Sequence, residues 1–379
     1  MNINNRYIGT ILTKLQNWRI AIYTMHAVDG MAGSLIGIFI PIYFLSLGYS
    51  VAQIFIFFII NNLLILLFFF VAGWVAQRFG LLQTLVMRLI FLLINLVLLY
   101  YLKNQPSFFY FISALSAIEL ALYWFPLHVV FAKSSELDTM GKHVGSLFAL
   151  PSLVGLFIPL IGAGITAWLG FSALFLFAGI IYLISIIPVI FMAKIPIVVN
   201  INFDRILTYL RNYKKYFVAE FFQGISSEVE GYILPIFLFL TFNDILTIGF
   251  IGTFLSLGSA IFTLFIGKLS DKIDRKQMLR AGALAMILIW VGRYFSINQI
   301  SFFMLSIASG FLGALISVPF NSIFYINAKK SDVEDFVIFR EIPISLGRVV
   351  LYSTGLLLVS QVKITFLFSM AAYLFMLIF

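Results

Sequence analysis

The chain has 379 residues, of which 62% are apolar and only 10% charged, with a mean hydropathy of +1.09. An ordinary soluble domain carries about 25% charged residues, and no soluble core of this length hides so much apolar surface, so a soluble enzyme or binding module is excluded. There is no cysteine, which removes disulfide frameworks and thiolate metal sites. The net charge of +9 is scattered over several loops, which speaks for membrane topology and against nucleic-acid binding.

The first residues, up to Arg19, are polar and carry Arg6, Lys14 and Arg19. They lack the short apolar core and small-residue cleavage site of a signal peptide, so the first apolar run is expected to stay in the mature protein. A helix crossing hydrocarbon needs about 20 mostly apolar residues. Runs of that kind fall at residues 20–47, 52–72, 82–102, 107–132, 144–169 and 171–192. A second set falls at 216–242, 245–266, 278–295, 300–326, 336–359 and 364–379. Lipid leaves no partner for unpaired backbone groups, and the ten-residue alternation of a β-barrel is absent, so the runs are helices. The longest polar interruption, residues 196–215, divides the chain into an N-terminal bundle (1–195), a linker and a C-terminal bundle (216–379). Within the linker, residues 203–211 read as a short amphipathic helix on the membrane surface. The last span runs to Phe379 without a polar tail, so no C-terminal regulatory domain is expected.

The basic residues orient the spans. Arg6, Lys14, Arg19, Arg78, Arg88, Lys133 and Lys142 fall on one side of the N-terminal half. Lys194, Arg205, Arg211, Lys214 and Lys215 of the linker, Lys268, Lys272, Arg275, Lys276 and Arg280, and Lys329 and Lys330 fall on the same side. The other side has little beyond Lys103, Lys363 and Arg293. Such a bias places the linker and both termini in the cytoplasm, in a multi-pass protein of the cytoplasmic membrane.

Gly267, Asp271, Lys272, Arg275 and Lys276 form a compact charged loop between the eighth and ninth spans, and Gly73, Arg78 and Gly80 form a fainter copy between the second and third. With twelve spans split six and six, this pattern resembles the major facilitator superfamily, whose loop reads Gly, three residues, Asp, a basic residue, one residue, Gly, then basic residues. The second loop departs in having Asp274 at the usual second glycine. The first has Gln77 in place of the acid and Leu81-Leu82 in place of the basic pair. The resemblance covers essentially the whole chain. It implies an all-α polytopic membrane protein with twelve transmembrane helices in two pseudo-symmetric six-helix bundles, working by alternating access. It also implies that Asp271 and Arg275 hold one access state through a base or helix N-terminus of the other bundle, with a weaker contribution from the first loop.

A further partial match lies in the fifth span, where Gly145, Gly155, Pro159, Gly162 and Gly164 approach the Gly-Pro-rich signature of the family's antiporters. Gly155 is displaced by one position, Ile158 replaces the glycine before the proline, and Ala163 takes the last glycine position. Small residues also permit close helix packing in lipid, so both readings stand. The fourth span lacks the arginine that many drug–proton antiporters of the family carry there and has Glu119 in that region.

A charge at the bilayer centre costs about 2.5–3.5 kcal/mol on insertion scales and lines a cavity or finds a partner. Asp29, Glu119, and Glu228 with Glu230 lie near the middle of the first, fourth and seventh spans. By resemblance these helices begin three-helix units and line the central cavity. His26 lies one turn from Asp29, and Ser116, Glu119 and Tyr123 share a face. Gln223, Ser227 and Glu230 share another, with Glu228 pointing away. Trp124, beside the Glu119 turn, is a cavity candidate. In the eleventh span Glu341, Ser345 and Arg348 share a face, and Glu341 and Arg348 either neutralise one another or pair across the bundle. Glu220, Arg340 and Arg293 are expected to reach for the membrane surfaces, and His128 and His143 to sit near the surface in packing roles. On this reading the mid-membrane acids outnumber one base, Arg348. A carboxyl group held out of water can exchange protons near neutral pH, so proton coupling and a cationic or neutral solute are expected.

No Gly-x-x-x-x-Gly-Lys-Ser/Thr motor loop occurs, so a gradient must supply the energy. The leading reading is a proton-coupled secondary transporter of a small solute, with export as drug or metabolite antiport ahead of a nutrient or ion uptake symporter. The rival is a membrane-embedded enzyme, for which His26 and Asp29 offer little material. Neither a cofactor nor a metal is expected. The partners are the solute, protons and the bilayer, with the chain acting as a monomer.

Overall fold

The computed structural model describes residues 3–190 and 197–377, with side chains from Asn17 onward. The expectations resting on Lys194, Pro196 and Phe379, on the end of the sixth span up to Met192, and on the side chains of Arg6 and Lys14 lie outside the described residues. All regular structure among the described residues is helical. Ten segments there are long and apolar enough to cross a membrane: Asn17–Ser46, Val51–Phe79, Leu81–Tyr101, Pro106–Ser134, Met140–Ile190, Lys214–Phe242, Ile245–Leu269, Arg275–Phe295, Gln299–Lys330 and Val359–Met376. Met140–Ile190 contains a turn at Gly170, whose φ of +81° is open to glycine, so it comprises two crossings, 140–169 and 171–190. A further helix, Val333–Leu356, is span-length although it carries Glu334, Asp335, Arg340, Glu341 and Arg348. Numbered in chain order, these make the twelve crossings that the hydropathy pattern predicts. The polar linker holds the short helix Phe203–Asn212.

Short polar caps define where the helices begin. Ser50 and Gln53 form a reciprocal capping box at the start of the second span. Asp244, Asp274 and Asn298 accept backbone N–H groups at the starts of the eighth, ninth and tenth. Asp274, which replaces the glycine of the loop pattern, accepts from Lys276 N at 2.8 Å and Gln277 N at 2.9 Å. In the first loop the turn is made by Gly80 at φ +98°.

The two halves meet along two seams, the fifth span against the eighth and the second against the eleventh. In the first seam the backbones touch: a Cβ on Gly145 would lie 2.8 Å from the Gly267 Cα, and one on Gly267 would lie 2.8 Å from the Gly141 carbonyl oxygen. In the second seam, a Cβ on Gly73 would meet only the tips of Ile201 and Ile338. At the end away from the basic loops, Tyr352 of the eleventh span packs on Phe55 and Phe58 of the second, at centroid distances of 5.4 and 5.0 Å. Tyr232 of the seventh lies 4.7 Å from the Phe58 ring. A polar loop end and an aromatic end thus bracket the middle of the molecule.

Candidate functional site

Between those ends lies a cavity of about 470 Å³ walled by both halves. Phe57, Phe58, Phe69, Trp124, Phe148 and Tyr232 give it an apolar surface, and Asn61, Asn62, Asn95, Ser116 and Asn321 give neutral polar groups. Its charged lining comes from the C-terminal half alone: Glu228, Arg340, Glu341 and Arg348. Trp124 is there, as its position beside the Glu119 turn suggests.

Glu228, Arg348 and Glu341 form one set. Arg348 Nε lies 3.1 Å from Glu228 Oε1, and its Nη1 lies 4.0 Å from Glu341 Oε1. Glu228 also accepts the Tyr352 hydroxyl at 2.6 Å, whereas Glu341 accepts the Ser345 hydroxyl at 3.0 Å, one turn along the shared face. Arg348 reaches across the seam to Asn62 Oδ1 at 3.4 Å. Glu341 is therefore the more loosely held of the two acids.

Arg340 makes the floor toward the basic loops. It donates to Glu220 at 2.9 Å and Asn321 at 3.0 Å, approaches His128 Nε2 at 3.4 Å, and lies over the Phe324 ring at 4.2 Å. Glu220 also accepts the Tyr216 hydroxyl. Glu220 and Arg340 do not reach for the surface as expected; a partner inside the fold makes that unnecessary. His128 is buried too, sharing a 2.7 Å hydrogen bond with the Tyr325 hydroxyl across the seam and stacking under Trp124. His143 is half-buried and meets Arg19 and Tyr23.

The other mid-membrane acids do not line this cavity. Asp29 and Glu119 face Arg88 inside the N-terminal half. Arg88 donates to Asp29 at 2.7 and 3.1 Å and to Glu119 at 2.5 Å, and its guanidinium lies 4.0 Å from the Tyr123 ring centroid. Arg88 was expected to flank a loop on the basic side. It lies about two helical turns inside the third span and is only 3% exposed. His26 bonds to the Tyr123 hydroxyl at 2.6 Å.

In the C-terminal half, Glu230 is held bidentate by the fully buried Arg293, at 2.6 and 3.0 Å, and accepts from Ser309 at 3.2 Å. This reverses the expected facing of Glu228 and Glu230. The turn Val229–Ile233 is π-helical, and its extra residue breaks the 3.6-residue phase on which that expectation rests. Gln223 is also off the cavity lining. The acids therefore do not face a single base. Arg88, Arg293, Arg340 and Arg348 are all ion-paired within the fold.

At the basic end, the Asp271 carboxylate accepts Gly141 N at 2.6 Å and Lys142 N at 2.9 Å, and Arg275 pairs with it at 3.0 Å. One acid thus caps the free N-terminus of the fifth span from the other half, where the exposed N–H groups and the helix dipole favour negative charge. Lys133 pairs with Glu334 at 2.5 Å, and Lys329 donates to the Ser135 carbonyl, adding two more cross-seam ties. Lys272 and Lys276 are exposed, as is Arg78 in the first loop.

Comparison with known proteins gives the same architecture. The sequence model of a family described as the Major Facilitator Superfamily matches residues 22–203 and 216–379. A Bacillus subtilis (strain 168) protein, the uncharacterized YqgE, is 22% identical over 267 residues, 66% of this chain. The match spans about three fifths (61%) of that relative's length. Among solved structures, the human organic anion transporter MFSD10 (TETRAN) aligns with a TM-score of 0.69 at 10% identity, covering 96% of this chain and 99% of that one. The Escherichia coli fucose:proton symporter FucP aligns with a TM-score of 0.70 at 11% identity, covering 95% and 97%. At such identities the likeness is one of fold.

Two predictions follow from the pairing. Arg88→Met leaves two carboxylates buried without a cation, so it should lower stability by about 3–5 kcal/mol, read as a large fall in Tm in detergent. Restoring much of that loss in the triple variant with Asp29→Asn and Glu119→Gln separates the pairing account from simple loss of packing. At the basic end, Asp271→Asn weakens a cap worth about 1–2 kcal/mol and Gly267→Val forces the seam apart. Both should raise labelling of a cysteine placed in the cavity from the basic side by several-fold. Unchanged labelling in both variants refutes the joint.

Proposed function

Because the chain belongs to the Major Facilitator Superfamily, a family of transporters, we propose that it exchanges protons for a small cationic solute through the cavity between its halves. The carrying observation is the wall set of two carboxylates, Glu228 and Glu341, on one guanidinium, Arg348. The charge of Arg340 is already met by Glu220, so the wall is one positive charge short. A proton or a cationic solute supplies that charge, and occupancy by one disfavours the other. Competition of this kind is the physical basis of antiport. Glu341 is the exchange site, since Glu228 is tied by both Arg348 and the Tyr352 hydroxyl. Trp124 and Tyr232 are among the lining rings, and a ring whose face meets a cation contributes about 0.5–2 kcal/mol.

The basic loops mark the cytoplasmic face, so the Asp271 joint closes the inward side and protons entering from outside drive the solute outward. The linker and both termini are then cytoplasmic, and residues 1–195 and 216–379 are the two moving bundles. An uptake symporter is the second reading. The Asp29–Arg88–Glu119 set favours it, because it also carries one carboxylate more than its base and stands apart from the cavity. There a proton and a solute bind together without competing.

Proteoliposomes with an imposed pH gradient and a panel of aromatic amines separate the readings. Glu341→Gln should cut gradient-driven amine flux tenfold or more while Glu119→Gln changes it less than about threefold, one factor of ten being 1.4 kcal/mol. The opposite ranking favours symport, and undiminished flux in both variants sinks coupling through either set. Orientation has its own test. The chain lacks native cysteine, so an impermeant thiol reagent should fail to label Asn202→Cys in intact cells and should label it in inverted membranes.

A further inference from the structure

The linker helix Phe203–Asn212 has two faces with different partners. Ile206 and Tyr209 are buried, and Tyr209 packs on Phe336 and Phe339 of the eleventh span at 5.4 and 5.9 Å. Arg205 pairs with Asp332 at 2.7 Å and Asp335 at 3.3 Å, and Asp335 also accepts Asn202 N at 2.9 Å. The helix is thus clamped to the start of the eleventh span by charge and by rings.

The other face carries Phe203, Leu207 and Arg211 at four-residue steps, all exposed, with exposed Lys214 and Lys215 just beyond. Phe203 and Leu207 are 64% and 54% exposed, too much apolar surface for a face left in water. Depth decides what covers them. The Phe203 ring stacks on Phe70 of the second span at 5.4 Å. One turn further toward the basic end of that span is Trp74, 60% exposed, the residue type that concentrates at membrane–water interfaces. Phe203 therefore sits at or inside the level of an interfacial tryptophan, where the neighbour is lipid. Its partners along the face are cations with a single exposed acid, Asp204.

We propose that this face binds anionic phospholipid headgroups of the adjoining leaflet, with Phe203 and Leu207 set into the acyl boundary and Arg211, Lys214 and Lys215 on the phosphates. A short amphipathic helix of this make-up lies in the interface plane and draws both apolar and electrostatic free energy from it, about 1 kcal/mol for each basic residue near an anionic surface. The same helix touches the second span through Phe203 and the eleventh through Arg205, and these two spans form one of the seams between the halves. Lipid held there favours the state in which the seam is closed at the basic end.

The test uses the whole protein in nanodiscs of phosphatidylcholine with or without phosphatidylglycerol. A fluorophore is attached at Leu207→Cys, with a label at Thr208→Cys as the water-facing reference. Spin-labelled phosphatidylglycerol should quench the Leu207 label at least twofold more than an equal fraction of spin-labelled phosphatidylcholine. That preference should vanish in the Arg211→Gln, Lys214→Gln, Lys215→Gln variant and at high salt, since the headgroup term is screened. Equal quenching by the two lipids, or a preference that survives removal of the three cations, overturns headgroup recognition. Quenching no greater than at Thr208 overturns the lipid contact itself and leaves the face to water or to a soluble partner.

Discussion

An ionised side chain persists in lipid only beside its counter-ion, and four arginines decide where the acids of this chain can lie. Arg88 gathers Asp29 and Glu119 from the first and fourth spans, and Arg293 gathers Glu230 from the seventh. The third and ninth spans that carry these arginines hold the same place in their respective halves. The two sets differ in their second member: Arg88 also holds Glu119 of the fourth span, whereas Glu230 accepts the hydroxyl of Ser309 of the tenth. The Arg293 set is thereby charge-balanced and the Arg88 set carries an extra carboxylate. The remaining pair of arginines, Arg340 and Arg348, both come from the eleventh span, and they concentrate the cavity's charge on one wall. The opposite wall supplies rings and amides, so a bound solute meets charge from one half and apolar surface from the other.

The two seams differ in how closely the halves approach beside each loop. Gly267 is pressed against the backbone of the fifth span, where any side chain clashes, and Asp271 beside it meets two free N–H groups. Gly73 meets only flexible isoleucine tips, one of them from the linker. In the second seam the linker residue Ile201 and Ile338 of the eleventh span fill the space beside the first loop. Arg205, paired with Asp332 and Asp335, fixes the linker to the start of the eleventh span beside this seam.

Much of this was legible from the residues. Hydropathy located the spans, the charged loops gave the family, and Glu341, Ser345 and Arg348 fell on one face as their spacing requires. Nearness in sequence puts Arg88 at the adjoining loop, and the structure puts it inside the span. Counting from Gly80 would have placed it about two turns deep, the depth of the acids it binds. Regular helical phase points Glu230 and not Glu228 at the cavity, and the π-turn, which has no sequence signature in an apolar run, reverses this. Burial of Arg293 and Arg340 was hidden for a different reason. A side chain near a helix end reaches the surface or a neighbour with equal ease, and only packing between distant spans decides which.

The two ends that bracket the cavity are held by different physics, and that difference bears on how a solute can move the halves. Ring contacts among Phe55, Phe58, Tyr232 and Tyr352 are non-directional and weaken gradually as helices tilt. The basic end depends on directional bonds at Asp271, Lys133 and His128 that are either made or lost. A ligand shifts such an equilibrium only by its different affinity for the two states. Arg340 touches the cavity and also spans the seam through His128. Arg348 does the same through Asn62. A proton or cation that alters the hold of Glu341 on Arg348 therefore acts on a cross-seam bond at mid-membrane, one helical face from the floor residue that ties the basic end. On the proposed reading, coupling needs no long pathway: the eleventh span carries Glu341 and both seam contacts, and its start is the anchor of the linker helix.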